Sequence, residues 1–377
     1  MRIGTDFSGI GSPEMALKLL GIEHKQVFAC EIDKYARKSH RAIYGDDYKL
    51  YEDITKRDHS EVEQLDLYVA GFPCQAFSMA GKRKGFEDTR GTLFFNVAEF
   101  IKINQPKCFI LENVKGLLSH DGGKTFQTII SLLTDNGGTA NGQMFIPYFE
   151  DGLGYHIYYK VLNTKDYGIP QNRERIFIVG FKEFREFSFP KPFSLELRLK
   201  DMLQDNPDYK YFLSDKMLRY FQDQTDNSIK VASATKKGYE EAEDGDSINF
   251  SVPNSKTRRG RVGKGVAQTL DTACNQAVVA AMRGRYDENK KIQQELEINA
   301  TGTTNSITTV QKDNLLIKDF RIRRLTPLEC WRLQGYPDDA FMEAQKVNSD
   351  TQLYKQAGNS ITVNVMMELL KKIYETI

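Results

Sequence analysis

Cysteine is scarce in this chain and never paired at short spacing. The five cysteines stand at positions 30, 74, 108, 274 and 330, an odd number with no CxxC. A disulfide framework and a zinc knuckle are therefore disfavoured, no metal site is expected, and a reducing, cytoplasmic setting is predicted. Long apolar runs are missing too. No stretch approaches the roughly 20 apolar residues of a membrane span, so no membrane partner is expected. The first residues, Met1-Arg2-Ile3-Gly4-Thr5-Asp6, run straight into a strand pattern, which does not read as a signal peptide. There is no GxxxxGK[ST] loop, so a bound nucleotide need not be a triphosphate. Nor is there an excess of either charge: 52 Lys and Arg stand against 51 Asp and Glu, a net of +1, which by itself neither selects nor excludes a polyanionic partner. What is present is the composition of an ordinary globular protein, 40% hydrophobic and 27% charged. Its 377 residues suit two domains, or one large domain with an insertion.

The first half alternates between strand and helix patterns. Arg2 to Phe7 reads as a strand. Ser12-Pro13-Glu14 then opens a helix, with Ser12 as N-cap, proline in the first turn and an acid near the positive end; the helix stops at Gly21. Val27-Phe28-Ala29, Asp66 to Ala70, Cys108 to Leu111, Tyr155 to Leu162 and Ile176 to Val179 read as further strands, with helical spacing over Leu93 to Ile101 and Phe126 to Leu133. This alternation predicts an α/β fold with a doubly wound, mostly parallel sheet. After Phe187 the character changes. Ser188-Phe189-Pro190-Lys191-Pro192 resembles a linker, and the chain to about Phe320 is polar and weakly periodic, with an acidic surface loop expected over Tyr239 to Asp246. Helical pattern returns over Thr351 to Ile377. The division predicted is a catalytic domain of residues 1–187 and 345–377 with a smaller inserted domain, 188–344.

Phe7-Ser8-Gly9-Ile10-Gly11 lies between the first strand and the helix, where glycines let a ligand approach backbone that faces a helix N-terminus. Glu31 follows a little over twenty residues on, at the end of the second strand, where a carboxylate can take both hydroxyls of a ribose. A structural turn accounts for the glycines equally well. Asp53, in Glu52-Asp53-Ile54, is either a contact to adenine or a turn acid. Gly71-Phe72-Pro73-Cys74-Gln75-Ala76-Phe77-Ser78 follows the third strand; a cysteine after an apolar strand is usually just buried, but this one falls in a turn at the carboxyl end of the sheet, where ligands of such folds bind. Leu111-Glu112-Asn113-Val114 ends the fourth strand at the same edge, where partial burial can raise a carboxyl pKa. Gln171-Asn172-Arg173-Glu174-Arg175 is either an ion-pair cluster or a pair of site arginines. Basic residues crowd Ser255 to Gly265 (Lys256, Arg258, Arg259, Arg261 and Lys264) and Asp319 to Arg332 (Arg321, Arg323, Arg324 and Arg332), a pattern that suits phosphates or a solvated loop.

Taken in order, Phe-x-Gly-x-Gly, Pro73-Cys74-Gln75 with Phe77-Ser78, Glu112-Asn113-Val114, Gln171-x-Arg173-x-Arg175 and Gln356-Ala357-Gly358-Asn359-Ser360 resemble the motif series of the bacterial and phage cytosine-5 DNA methyltransferases. The likeness runs from Asp6 to Val363, and the segment Arg323 to Pro337 is similar to the one that organises the family's recognition domain. Three places differ: Thr5 where the family commonly has Asp, Ser12 where a further glycine often stands, and Ile32 where an aromatic often follows the ribose-binding acid.

The resemblance implies a Rossmann-like methyltransferase sheet with an inserted target-recognition domain. It implies S-adenosylmethionine as cofactor, leaving as S-adenosylhomocysteine, and double-stranded DNA as substrate. Cys74 would be the nucleophile, Glu112, Arg173 and Arg175 would hold the cytosine ring, and Asn113 would orient the Pro73–Cys74 turn. Phe7, Ser8, Gly9, Gly11, Glu31, Ile32, Asp53, Ile54, Pro73, Leu93, Asn359 and Ser360 would surround the cofactor. Gln75, Ser78, Lys256, Arg258, Arg259, Arg261, Lys264, Thr269, Leu270, Arg283 and Arg285 would meet DNA. Within the insert Thr269 to Val279 resembles Ser306 to Leu316, read as two loop-then-strand units, and the family's Thr-Leu motif best matches Thr269-Leu270. A monomer is expected, with a cognate restriction endonuclease, if any, acting separately. Two other readings are an RNA cytosine methyltransferase, against which the long basic insert speaks, and an inactive DNA-binding relative, against which Cys74, Glu112 and Arg175 speak.

Overall fold

In the computed structural model, Arg2–Asp6 forms strand β1, an interior strand of the main sheet, all but its first residue buried. The structure describes residues 1–73, 93–134, 138–144, 152–212, 229–233, 235–243, 245–249, 260–270, 276–280, 283–286, 292–295 and 321–376. Lys25–Cys30 (β2), Lys49–Tyr51 (β3), Leu67–Ala70 (β4) and Cys108–Val114 (β5) extend the sheet in parallel on both sides of β1. Thr139–Ala140 (β6), Gln143–Met144 (β7), His156–Asn163 (β8) and Glu174–Phe181 (β10) complete it, in the order β3-β2-β1-β4-β5-β10-β8-β6-β7. The chain crosses to the far side at β1, which leaves a crevice at the carboxyl ends of the strands. One expectation needs refining: β10 runs antiparallel to both β5 and β8. That reversal brings the beginning of β10, with Arg175, to the edge where β5 ends.

Ser12–Leu20 (α1), Lys34–Tyr44 (α2), Leu93–Asn104 (α3) and Lys124–Thr134 (α4) flank the sheet, and Pro327–Arg332 (α5), Asp338–Gln345 (α6), Asp350–Asn359 (α7) and Val363–Thr376 (α8) return to it. Ser12 is not the N-cap of α1. Gly11, left-handed at φ 78°, takes that place, and the Ser12 hydroxyl instead hydrogen-bonds Tyr336 Oη at 2.8 Å. A Cβ on Gly11 would meet the Tyr44 ring at 2.4 Å, so packing as well as φ demands glycine there. One core lies between α1, α8 and the sheet: Met15, Ala16 and Leu17 pack with Val365, Met366, Leu369 and Ile373. A second lies on the opposite face, under α3 and α4.

Within the insert Ser247–Asn249 (β13), Arg261–Gly263 (β14), Gln276–Ala280 (β16) and Arg321–Arg324 (β19) form a four-stranded sheet. Ile229–Ala232 (β11) pairs Tyr239–Ala242 (β12), and Arg283–Tyr286 (β17) pairs Ile292–Glu295 (β18). Ala267–Gln268 (β15) pairs Gln171–Asn172 (β9), a strand of the catalytic half. The expected acidic surface loop is instead strand β12 followed by a turn built on buried Asp246, which accepts from the Glu243 and Gly265 N–H groups at 2.9 and 3.0 Å. The basic stretch near Arg323 also changes meaning. Arg323 is fully buried in a two-armed ion pair with Glu329, both arms 2.8 Å, and Arg332 pairs with Asp338. Neither arginine is free for a phosphate. Leu325, Leu328, Trp331, Phe341 and Ala344 join the same core cluster as Ile3 and Met15, although the sequence places them in the insert. Ser306 to Leu316, the second copy of the internal resemblance, lies outside the described residues.

Candidate active site

A cleft of about 400 Å³ opens at the carboxyl edge of β1, β2, β4 and β5. Its acidic end is made by Glu31, Glu52 and Asp53. Glu31 leaves β2 with its carboxylate fixed by two main-chain donors, Gly9 N–H at 2.9 Å and Asp33 N–H at 2.8 Å. Asp53 accepts from the Thr55 hydroxyl (2.7 Å) and N–H (3.0 Å), and those bonds, the hydroxyl first, hold its carboxyl below the usual range. Phe7, Ile32, Ile54, Phe72 and Leu93 give the apolar surface. Phe7 sits at φ 54°, which a bulky side chain rarely adopts. It is held between Asp6 and the glycine turn.

Behind that wall lies a device the sequence did not announce. Asp6 is fully buried and accepts both Arg57 Nη atoms, at 2.8 and 2.7 Å, and the Tyr68 hydroxyl at 2.7 Å. The Arg57 guanidinium lies 4.3 Å from the Phe28 ring centre and 4.7 Å from that of Phe100. The pair joins the end of β1 to the segment that carries Asp53 and Ile54.

At the other end of the cleft stand Glu112, Asn113, Arg173 and Arg175. Glu112 and Val114 face Phe177 and Arg175 across the β5–β10 ladder. Arg175 Nε reaches Glu112 Oε1 at 3.1 Å, and both side chains keep a little exposure, 17% and 11%. Burial raises the Glu112 pKa, against the pull of Arg175 and Arg173. Gly71 lets the backbone pass close by; a Cβ there would lie 3.4 Å from Glu112 Oε2. Asn113 Nδ2 donates to the Phe72 carbonyl at 2.8 Å, which holds the turn just before Pro73. Pro73 is exposed on the rim. Cys74, Gln75 and Ser78 lie outside the described residues.

Of the twelve residues expected around a cofactor, Phe7, Gly9, Glu31, Ile32, Asp53, Ile54, Pro73, Leu93 and Asn359 line the cleft. Ser8, Gly11 and Ser360 do not. The Ser8 hydroxyl knits β1 to β2 by bonding Cys30 N–H at 2.9 Å, Gly11 serves the Tyr44 contact, and the Ser360 hydroxyl donates to the Gln356 carbonyl at 2.8 Å. Cys30, Glu52, Phe72 and Val114 line the cleft without having been singled out; each is next to or near an expected residue, and only strand ends in three dimensions reveal which neighbour turns inward. Arg173 lines it too, but its guanidinium is spent on main-chain carbonyls of Leu270, Gly358 and Ser360. That leaves Arg175 beside Glu112.

Toward the insert, Arg261 is exposed on β14 and Lys264 pairs with Asp246 at 2.8 Å. Thr269 Oγ1 donates to the Asn172 carbonyl at 2.7 Å. Leu270 differs from expectation: it is 2% exposed, its side chain in the core, so it offers no surface to a duplex. Arg283 and Arg285 lie on β17. Lys256, Arg258 and Arg259 lie outside the described residues. No helix among the described residues is long and apolar enough to cross a membrane, and no group of metal-ligating side chains occurs among them.

A mixed sheet of this order, with acids at one strand end and a Glu–Arg pair at another, is the Rossmann-like fold of methyltransferases. Solved structures share it over essentially the whole chain: Dnmt2 methyltransferase of S. pombe (TM-score 0.61, 19% identity, 100% of this chain and 98% of that one) and a putative DNA modification methyltransferase encoded within an E. coli prophage (TM-score 0.58, 18%, 100% and 99%). The family model for C-5 cytosine-specific DNA methylase matches residues 1–375, and the chain belongs to that family. Type II methyltransferase M.NgoBI of Neisseria gonorrhoeae is 36% identical over 97% of this chain and 90% of its own length, and M.HpaII of Haemophilus parainfluenzae is 36% identical over 98% and 88%. Orphan methyltransferase M.SPRI of Bacillus phage SPR is 32% identical over 100% and 98%. The protein is thus a DNA methyltransferase that acts on carbon 5 of cytosine.

Proposed function

We propose that the reaction runs through Cys74 on a cytosine flipped from duplex DNA, with S-adenosylmethionine in the cleft. The observation that carries this is the Glu112–Arg175 pair, 3.1 Å apart, beside the Asn113-anchored turn that leads into Pro73-Cys74. A base inside a duplex cannot reach such a wall, so it must leave the stack. The opposite end fits the cofactor's chemistry. Glu31 suits ribose hydroxyls, Phe7 and Ile54 suit an adenine face, and three carboxylates suit a cationic sulfonium but not a polyphosphate. S-adenosylmethionine supplies the electrophilic methyl group.

Cys74 Sγ, as thiolate, adds to carbon 6 and pushes its electron pair toward ring nitrogen 3, where Glu112 delivers a proton; the burial that raises its pKa keeps that proton available. Arg175 holds the cytosine carbonyl oxygen and keeps Glu112 in place. Carbon 5, now enamine-like, takes the methyl group as the proton on ring nitrogen 3 returns to Glu112. Loss of the carbon 5 proton to water then expels the Cys74 thiolate and restores the ring.

The insert is the DNA-reading unit in this proposal. Arg258, Arg259, Arg261, Arg283 and Arg285 suit guanine edges, Lys256 and Lys264 suit phosphates, and Gln75 and Ser78, which follow the nucleophile in sequence, would meet DNA. Because 325–344 packs with the catalytic core, we place the return to the catalytic unit at Leu325 rather than at 345. A modification role beside a separate restriction endonuclease, or as a phage protection enzyme, follows from what the similar proteins are called. Bisulfite sequencing of plasmid DNA from cells expressing the chain tests the reading. Wild type should protect cytosines within one short sequence, Cys74→Ala should protect none, and duplex DNA with 5-fluorocytosine at that site should trap a covalent adduct with wild type only. Methylation by Cys74→Ala would overturn the assignment.

A further inference from the structure

Leu270 is gripped at both of its main-chain groups by side chains from the catalytic half. Its N–H donates to Gln171 Oε1 at 3.2 Å, and its carbonyl accepts from Arg173 Nη1 at 3.2 Å. The other ends of the same two side chains go elsewhere. The Gln171 amide donates to the Leu333 carbonyl, and Arg173 Nη2 donates to the Gly358 and Ser360 carbonyls at 3.1 and 2.8 Å, either side of cleft-lining Asn359. Around this grip the β15–β9 pairing joins Ala267 to Gln171 and Gln268 to Asn172, and the Thr269 hydroxyl holds the Asn172 carbonyl. Four consecutive residues of the insert are therefore bonded to three consecutive residues that end two positions before Arg175.

A buried guanidinium held only by carbonyls is costly, because carbonyl dipoles compensate a charge less fully than a carboxylate does. Arg173 is 3% exposed, and Glu112, the acid at this wall, pairs with Arg175 instead. Burial, then the neighbouring Arg175, pulls the Arg173 pKa down to about 9. Its Nε is buried with no partner among the described residues. An arrangement that spends this much to join three carbonyls on two segments does something a leucine in a core would not: it fixes the two segments relative to each other.

We infer that Gln171 and Arg173 are positioning residues that lock the base of the DNA-reading loop at Leu270 to the Asn359 turn of the cleft, so that the fit of the loop on its target sets the geometry of the reacting site. The inference rests on the reading of the insert as the DNA-binding unit. Arg173 acts here through main chain, not through the cytosine. Seating of the loop on a wrong sequence strains Leu270, and the strain passes through one guanidinium to the cofactor wall and through β9 to Arg175.

The test compares methylation rates on a duplex carrying the wild-type target, found by bisulfite sequencing, and on one with a single flanking base pair changed. Arg173→Met and Thr269→Val should each lower the ratio of kcat/KM between the two duplexes about tenfold, within the range of ordinary coupling between sites. The effect should fall on kcat more than on KM. The double variant should do no worse than the poorer single, since both cut one connection. Arg173→Lys, which keeps the charge and one donor group, should recover part of the ratio, and it carries the test if Arg173→Met does not fold. A merely structural role would slow both duplexes alike and leave the ratio unchanged; that outcome for Arg173→Lys and Thr269→Val, or a double effect equal to the product of the singles, overturns the inference. Failure of the wild type to methylate duplex cytosine would instead overturn the proposed function, so the two failures are read in different proteins.

Discussion

Replacing Arg57 by methionine removes the cation from the most enclosed ion pair behind the cleft. Asp6 and Arg57 are both 0% exposed at their side chains, bonded through two arms of 2.8 and 2.7 Å. Without Arg57, Asp6 keeps the Tyr68 hydroxyl and the Cys30 thiol as side-chain donors among the described residues. Breaking one partner from a buried pair costs about 3–5 kcal/mol, because a charge is left uncompensated or must be neutralised. Up to about 2 kcal/mol of that is the guanidinium lost from the faces of Phe28 and Phe100; methionine fills a similar volume, so little of the loss is cavity. At about 2 °C per kcal/mol for a chain of this size, the melting temperature should fall by roughly 6–10 °C. Urea unfolding measures the loss directly. Asp6→Asn with Arg57→Met should be less damaging than the sum of the two singles, since the orphaned charge is gone. S-adenosylmethionine should also bind more weakly to Arg57→Met, because Asp6 precedes Phe7 and Arg57 shares a segment with Asp53. A loss under about 1 kcal/mol, the value of an exposed pair, or strict additivity in the double variant, would refute the reasoning.

Glu112→Gln keeps the shape at ring nitrogen 3 but not the proton, and single-turnover methyl transfer should slow by ~10²-fold or more with DNA affinity little changed; a near-wild-type rate counts against the role. Glu14 is buried, which alone would raise its pKa, but the His40 imidazole 3.6 Å from its carboxylate and the bond from the Thr5 hydroxyl bring it below the usual value. A lowered carboxylate contributes stability present above the unfolded pKa and lost as pH falls through the folded one. Glu14→Gln should therefore be less stable than wild type near neutrality, and the gap should close on acidification below about pH 4; a gap independent of pH contradicts this. Trp331 is fully buried with its indole N–H on the Leu353 carbonyl at 3.0 Å, so Trp331→Ala should cost about 3–5 kcal/mol in urea unfolding. Arg261→Ala should relax sequence preference in genome-wide bisulfite maps; wild-type site use at wild-type rates would exclude it from base reading.

The strands and helices with aliphatic periodicity were legible in the sequence, and so were the residues at strand ends, because chemistry in this fold gathers where β1, β2, β4 and β5 stop. What stayed hidden has physical causes. Helix α2 buries Ala36, Ser39 and His40, small or polar residues that leave no apolar stripe to read. Strand β3 is three residues long, below any detectable period. The antiparallel run of β10 has no signature in its own residues, since direction is decided by the connection. Arg57 and Arg323 look like surface charge in sequence and are buried in the fold, for a partner 51 or 6 residues away is visible only after folding. Ser8 and Gly11 belong to a true motif but serve its scaffold, which spacing alone cannot separate from contact.

The core between α1 and α8 has a consequence for how the chain is made. Met15 and Leu17 leave the ribosome well before their core neighbours Leu369 and Ile373. At about 5–20 residues per second, the apolar face of α1 waits roughly 20–70 s for its cover. During that interval the half-built sheet presents the surface that holdase chaperones bind, and the entire insert must fold while its host is still open. Yield in a cell should then depend on translation speed and chaperone supply more than on the stability of the finished enzyme.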